Sequence, residues 1–540
     1  MFLYSNTFNI FNILVIILSI ISLFFLGFKL IHAYQIAGYK LSHFFNYLKK
    51  TKFNIAFQFL LSTLSFVFLF ISNFIVSLYN LSIYCTYASV CIYYILCFLF
   101  YKLLFKTTFK VPFNKTKRIR RFMFVYMLIC TLLSCLALFL NNFVAIYFKF
   151  CFIVVLPILL SLVVVISHFV SLPLENAVKL FYIIKCKLKL KKYKNLKVIA
   201  ITGSSGKTST KFILNSMLSQ KYNVLCTPAS FNTPMGLTKT VNNNNLNNIN
   251  YLIAEFGADK PNDIKHLCKI IKPNYSYITN IGNQHLKTFK TLNNLIKTKC
   301  QIYTYMQKNG TAFFNIDDAN ISHFASTYTK NHINISTHSN CPLSISNIQT
   351  TCNGSNFTLT DGKTTKECNT ILLGEHNIQN IFASSVIAYS LGIPLNLIAK
   401  SIQELQPTPH RLQLISTNPS LIVLDDTFNS NYEGFRQALN VLSKFNGKKA
   451  VVTPGIVELG KMQEQTNFNI AVVIANIADI AIIVNNTNKQ ALSNGLLNAG
   501  FKKENIFFFN TLSDAQQNFS KLLKDISVVL LENDLPDDYV

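Results

Sequence analysis

The chain has 540 residues, room for two to four domains; half are hydrophobic, the mean hydropathy is +0.32 and the net charge is +27. The first acidic residue is Glu175, so the 174 residues before it, with 14 Lys and Arg, hold about half of that charge. Basic residues set beside apolar runs argue against a nucleic-acid partner, and 13 scattered cysteines with no CxxC and no Cys/His cluster read as reduced thiols rather than a zinc site or a disulfide framework.

Apolar runs of membrane-spanning length fall near 8–31, 54–78, 82–105, 122–141 and 145–169. They predict an α-helical transmembrane domain over 1–170. The first run has no basic residue before it and no small-residue cleavage site after it, so it reads as a retained span rather than a signal peptide. The segments 33–52 and 102–121 carry four and eight basic residues and no acid, whereas the alternate connections near 80–82 and 141–142 are short and uncharged. The positive-inside rule puts both basic segments in the cytoplasm, the N-terminus outside and everything after the fifth span in the cytoplasm. Lys149 fits this arrangement less well and has to snorkel. The basic connector 171–197 mixes lysines with apolar residues. It reads equally as a helix resting on anionic lipid or as a solvated linker.

"KVIAIT" (197–202) has the β-branched, apolar character of a buried parallel strand, and "KTSTKFILNSMLSQ" (207–220) has apolar residues at helical spacing. Between them lies Gly203-Ser204-Ser205-Gly206. Strand, glycine loop and helix in this order suit a nucleotide phosphate: backbone N–H groups turn inward and the helix N-terminus adds its dipole. Lys207 is placed for the β- and γ-phosphates and Thr208 for Mg²⁺, with Ser209 next in line. The loop is two residues shorter than the usual Walker pattern. "VNNNNLNN" (241–248) is of low complexity and is expected to be a solvated loop.

The shortened "TGSSGKTSTK" resembles the ATP loop of the Mur ligases, the amide-forming enzymes of peptidoglycan precursor synthesis. Further segments resemble that family in its own order: "SFNTPMGL" (230–237), "IAEFGADKPNDIKHLCKIIKP" (253–273), "YITNIGNQHLKTFKTLNNLIKTKCQI" (277–302), "LLGEHNIQNIFAS" (372–384), "PHRLQLI" (409–415), "LDDTFNSNYEGFRQAL" (424–439) and "VTPGIVELG" (452–460). The likeness covers about 195–510, and the last two segments look most like the member that adds D-Ala-D-Ala to a muramoyl tripeptide.

The resemblance implies a P-loop ATPase-like central domain (198–405) and a Rossmann-like C-terminal domain (406–540). It implies ATP and Mg²⁺ as cofactors, and a carboxylate activated as an acyl phosphate before an amine attacks it. Thr208 and Glu255 would hold one Mg²⁺, His285 a second, and Lys299 would be carbamylated to support a metal. Asn377 and Asn380 would bond adenine, and Arg411 and Asp426 would close the C-terminal domain on the nucleotide. The implied partners are a muramoyl peptide donor, UDP-linked or lipid-linked, an amine acceptor such as D-Ala-D-Ala, and membrane lipid, at the bacterial cell membrane.

Some positions depart from the family. Phe428 stands where tyrosine is usual, Tyr432 where proline is usual, Cys300-Gln301 where Gly-Glu is usual, and the spans replace the small domain that binds the UDP end of the donor. The expected function is a membrane-anchored, ATP-dependent amide ligase of cell-wall precursor assembly. Its rivals are a Mur-like ligase making another peptide, such as poly-γ-glutamate, and a non-catalytic membrane scaffold for cell-wall enzymes.

Overall fold

The computed structural model describes residues 27–50, 112–139, 160–282, 286–339, 341–418, 421–428 and 431–533, with positions 17, 20, 21 and 24 before them. The expected spans near 54–78 and 82–105, most of the first span, Lys149 and His285 lie outside the described residues. The chain forms two compact units that divide between residues 179 and 180.

In the first unit residues 27–36 are helical, a turn follows at 37–39, and a second helix runs Leu41–Lys50. The basic segment 33–52, expected as a connecting loop, is therefore mostly helical, because Phe44 and Tyr47 sit at helical spacing and are buried. The helix Lys117–Phe139 starts ahead of the apolar run at 122. Thr116 holds that start: its hydroxyl accepts from the Ile119 N–H at 3.2 Å, and Ile119 is fully buried. Leu30, Ile31 and Tyr34 pack with Ile119, Phe122, Tyr126, Val163 and Val164 in one apolar core. The first acid of the chain, Glu175, accepts from Arg121 Nε at 2.7 Å and Nη2 at 3.0 Å, with Arg118 Nε at 3.7 Å.

The helix Leu160–Lys192 runs 33 residues with Pro173 inside it, about 50 Å at helical rise. Among the described residues it is the one helix long and apolar enough to cross a membrane. It passes unbroken through the expected domain boundary at 170–171, so the connector is helical from its first residue. A freely solvated linker is ruled out by Cys186, fully buried against the second unit's core.

The second unit opens on a parallel sheet of six strands: β1 (Lys197–Thr202), β2 (Val224–Cys226), β3 (Tyr251–Glu255), β4 (Tyr275–Ile278), β5 (Thr311–Asn315) and β6 (His332–Ile335), in the order β2-β3-β1-β4-β5-β6. β1 lies between β3 and β4 and is buried from its second residue on, which is why it reads as an unbroken apolar run. Three antiparallel strands follow, β7 (Ser344–Thr351), β8 (Gly354–Thr360) and β9 (Thr365–Thr370). A second sheet contains β10 (Gln413–Asn418), β11 (Leu421–Asp426), β12 (Lys449–Thr453), β13 (Ile480–Val484), β14 (Ile506–Phe509) and β15 (Val528–Glu532), ordered β10-β11-β15-β12-β13-β14. Its five apolar strands are parallel, as their alternation with helices predicts, and β10 adds an antiparallel edge.

The Asn-rich stretch 241–248 is a solvated loop only in part, with residues 243–245, 247 and 248 exposed. Its first residues end the helix Pro234–Asn243, and Val241 and Leu246 are buried. Asn242 Nδ2 donates to Tyr182 O at 3.1 Å, while Lys189 Nζ donates to the carbonyls of Asn242 (3.2 Å) and Asn244 (2.6 Å). Two apolar residues and the carbonyls between them outweigh the polar composition.

Candidate active site

The site grows from the carboxyl end of β1. A Cβ on Gly203 would lie 1.8 Å from Thr279 Oγ1, just beyond β4, so only glycine lets the loop pass there. Gly206 takes φ +74° at the start of the helix Lys207–Ser219, and a Cβ there would meet the Asn380 side chain at 2.7 Å. The serines bind the loop to the segment after β4: Ser204 Oγ donates to Gly282 O and accepts from Gly282 N, both at 3.0 Å, and the Ser205 N–H donates to Asn280 Oδ1 at 2.9 Å. Ser209 is half-buried on the helix. Residues 203–208 and 277–282, far apart in the sequence, thus form one rigid rim.

Glu255, at the end of β3, is the hub. It is buried, and its Oε2 accepts from Thr208 Oγ1 at 3.0 Å and from Lys211 Nζ at 3.2 Å; Oε1 accepts from Asn232 Nδ2 at 3.2 Å. Lys211, one helical turn beyond Lys207, also donates to the carbonyl of Ala229. Its burial is complete, and that desolvation lowers its pKa while Glu255 opposes the shift. Arg411 comes from the C-terminal domain: its Nη2 donates to Thr208 Oγ1 at 3.3 Å, and its guanidinium stacks 4.6 Å from the Phe428 ring.

Lys207 Nζ donates to the carbonyls of Gly203 (2.8 Å) and Ser204 (3.0 Å). Burial, with Arg411 adding repulsion and Glu255 opposing, brings its pKa down to about 8. Lys299 is buried on the helix Leu292–Thr304, and burial, with Lys207 beside it, pulls its pKa well below the usual lysine range. Asn377 and Asn380 both lie buried on the helix Glu375–Ser390. Asn377 Nδ2 donates to Leu373 O at 2.9 Å, and Asn380 Oδ1 accepts from Thr210 Oγ1 at 3.1 Å. Asn380 therefore braces the loop and the first helix.

On the C-terminal side Asp426 Oδ1 accepts from the Leu412 N–H at 3.0 Å, and Asp426 pairs in register with Glu532 of β15. Burial raises the Asp426 carboxyl to about 7, against the pull of the Leu412 N–H and Arg411. Asp425 accepts from Thr427 Oγ1 at 2.7 Å and lies 2.7 Å from His410 Nδ1.

Sequence reasoning passed over Lys211, His376 and Glu532. Lys211 could have been found from its i+4 spacing to Lys207. His376 lies within a quoted segment but reads as one polar residue among several; it is buried, desolvation brings its pKa down to about 4, and its Nδ1 has no partner among the described residues. Only strand pairing brings Glu532 to Asp426. Among the described residues no three His, Cys, Asp or Glu side chains form a metal cluster. The hard oxygen donors that meet are Thr208 and Glu255, which suits Mg²⁺, an ion that takes one or two protein ligands and completes its shell with water and phosphate.

Comparison with known proteins agrees with this geometry. Residues 201–388 match the Mur ligase middle domain. A UDP-N-acetylmuramoyl-tripeptide--D-alanyl-D-alanine ligase of Buchnera aphidicola subsp. Acyrthosiphon pisum is 31% identical over 336 residues, 59% of this chain and 74% of that protein. The chain belongs to the Mur ligases. The ligase of the same name from Buchnera aphidicola subsp. Baizongia pistaciae is 37% identical over 272 residues, 49% of this chain. There the chain spans 58% of the relative's length. The crystal structure of MurF from Acinetobacter baumannii superposes on 66% of this Mur ligase and 77% of that chain, with 28% identity and a TM-score of 0.59.

Proposed function

We propose that this Mur ligase is an ATP-dependent amide ligase that joins D-alanyl-D-alanine to a muramoyl tripeptide, and that residues 1–170 anchor it in the bacterial cell membrane. The carrying observation is the convergence of Lys207, Thr208, Glu255 and Arg411 at the strand ends, with Lys299 buried close to Lys207. A scaffold that only recruited other proteins would have no use for Lys207, Lys211 and Arg411 gathered around the one carboxylate of Glu255, an excess of positive charge that costs stability until an anion arrives. The first two relatives carry the D-Ala-D-Ala ligase name, which favours that reaction over a poly-γ-glutamate synthase.

The chemistry assigns each residue a task. ATP supplies the phosphoryl group that converts the donor carboxylate to an acyl phosphate; the acceptor amine attacks the carbonyl, loses a proton and displaces phosphate. Lys207, with the backbone N–H groups of Gly203 and Gly206 and those at the start of the helix Lys207–Ser219, neutralises the β- and γ-phosphates as charge builds there. Thr208 and Glu255 would hold Mg²⁺, whose charge draws the phosphate oxygens and the donor carboxylate together. Lys211 and Asn232 fix both oxygens of Glu255, so its orientation is set before substrate arrives. The depressed pKa of Lys299 keeps its amine neutral, the form that reacts with CO₂ to give a carbamate. Arg411 and Asp426 close the C-terminal domain, and Asn377 and Asn380 line the nucleotide side.

The basic segments 33–52 and 102–121 support a catalytic unit on the cytoplasmic face, with the N-terminus outside. Phosphate release from ATP by the full-length protein in detergent, with a UDP-muramoyl tripeptide and with or without D-Ala-D-Ala, tests the reaction. Release that needs both substrates, with a product heavier by one dipeptide residue pair, is expected. Turnover with glutamate instead, or none with either acceptor, overturns the assignment.

A further inference from the structure

The C-terminal half of the helix Leu160–Lys192 has two faces. Ile183, Cys186 and Leu190 pack on the core of the central domain, and Lys189 and Tyr182 tie the helix to residues 242–244 by the hydrogen bonds above. These contacts fix which side points away. On that side Leu180, Phe181, Ile184 and Leu188 are 57%, 63%, 47% and 64% exposed. At 100° per residue they form one continuous stripe. Lys187 borders it on one edge and Lys185 and Lys192 on the other, while Lys191 continues its line beyond Leu188, all exposed. No acid occurs between Glu175 and the end of the helix.

We propose that this face is a docking surface for anionic phospholipid. An apolar stripe between two lysine rows is what a lipid interface accepts: the large side chains enter the acyl boundary while the ammonium groups stay among phosphates. A folded protein partner would need acids on both sides of an apolar ridge. The lipid needs no such match. The packed face keeps the helix from rolling, so the lipid-facing side is preset. This contact extends the membrane reading above and does not depend on the ligase reaction.

The test places an environment-sensitive fluorescent amino acid at position 184 or 188 of the full-length protein, with position 498, exposed on the C-terminal domain, as the control. The protein is reconstituted in nanodiscs of phosphatidylcholine alone or with phosphatidylglycerol. Membrane anchorage is scored separately by alkaline extraction, and ligase activity is measured on the same samples. We expect a blue shift and quenching by nitroxide-labelled lipid at 184 and 188 but not at 498, stronger by several-fold with phosphatidylglycerol. The combined K185Q, K187Q, K191Q and K192Q variant should lose the dependence on anionic lipid, at about fivefold in lipid affinity per lysine. Emission at 184 and 188 that matches 498 in both lipids overturns the proposal. So does a signal that follows protein concentration instead of lipid, which would assign the stripe to a second copy. Retained phosphatidylglycerol dependence in the four-lysine variant overturns it too.

Discussion

The two parallel sheets of residues 180–535 differ in the charges they collect at their carboxyl ends. The central sheet sets Lys207 and Lys211 around one acid, Glu255. The C-terminal sheet sets Asp426 and Glu532 side by side in register, with Asp425 next to them. Each edge buries charge that its own residues do not balance, cationic on one side and anionic on the other. Arg411 is the residue between them: it reaches Thr208 and lies within electrostatic range of both Glu255 and Asp426. The charges at the two sheet edges are thus arranged in advance, and the domains carry opposite parts of the arrangement.

The largest break in that comparison is Lys207→Met. It should lower ATP turnover by about 10²–10³-fold and yet raise the melting temperature at pH 7. Lys207 has its folded pKa depressed to about 8, so its favourable contribution is present above the unfolded value and is lost as pH falls through 8. At pH 7 the charged, buried lysine costs stability that methionine does not. Calorimetry and phosphate release on one preparation check both halves; unchanged turnover removes Lys207 from the site.

Lys299→Ala should come next, reducing turnover by about 10–100-fold with partial recovery on adding formate or acetate. Depletion of CO₂ should weaken the parent enzyme and leave the variant untouched. Equal activity of parent and variant would show that the buried amine is not modified.

Asp426→Asn probes the acidic edge. Its folded pKa is raised to about 7, so its contribution is full below the unfolded value and is lost as pH rises through 7. The parent should therefore lose stability between about pH 4 and 7 more steeply than the variant. The variant should melt a few degrees higher at pH 8. Parallel melting curves across that range would place the buried charge elsewhere.

The smallest effect is expected at Phe428. Phe428→Leu removes the ring face under Arg411 and should raise KM for ATP about 2–5-fold, the worth of an exposed cation–π contact. Phe428→Tyr, the residue usual in the family, should change KM little. A larger loss in the tyrosine variant would mean the ring edge, not its face, is what the site reads.

The apolar strands β1, β11, β12, β13 and β15 were legible because burial on both faces forces runs of Val, Ile, Leu and Ala, and the loop at 203–208 was legible because phosphate binding demands glycine at fixed places. The strands β7 to β9 were not, since "SISNIQTT" and "TKECNT" are polar and half exposed, and pairing alone makes them strands. Asn380 carries a contact that its motif position does not announce: its carbonyl oxygen accepts from Thr210, which only the fold brings to it. Lys211 and Glu532 could be named only once the fold had brought them to Glu255 and Asp426. The Asn-rich segment 241–248 misled because composition says nothing about two buried apolar residues and a lysine reaching in from another helix.

The pairing of Glu175 with Arg118 and Arg121 also has a place in time. The arginine Arg121 precedes Glu175 by 54 residues, which at ordinary elongation rates is a lead of about 3–11 s. The growing chain thus presents its two cations first, and the only acid of the first unit's described helices arrives to partners already made. The order of residues along the chain thus means that Glu175 never waits for its partners.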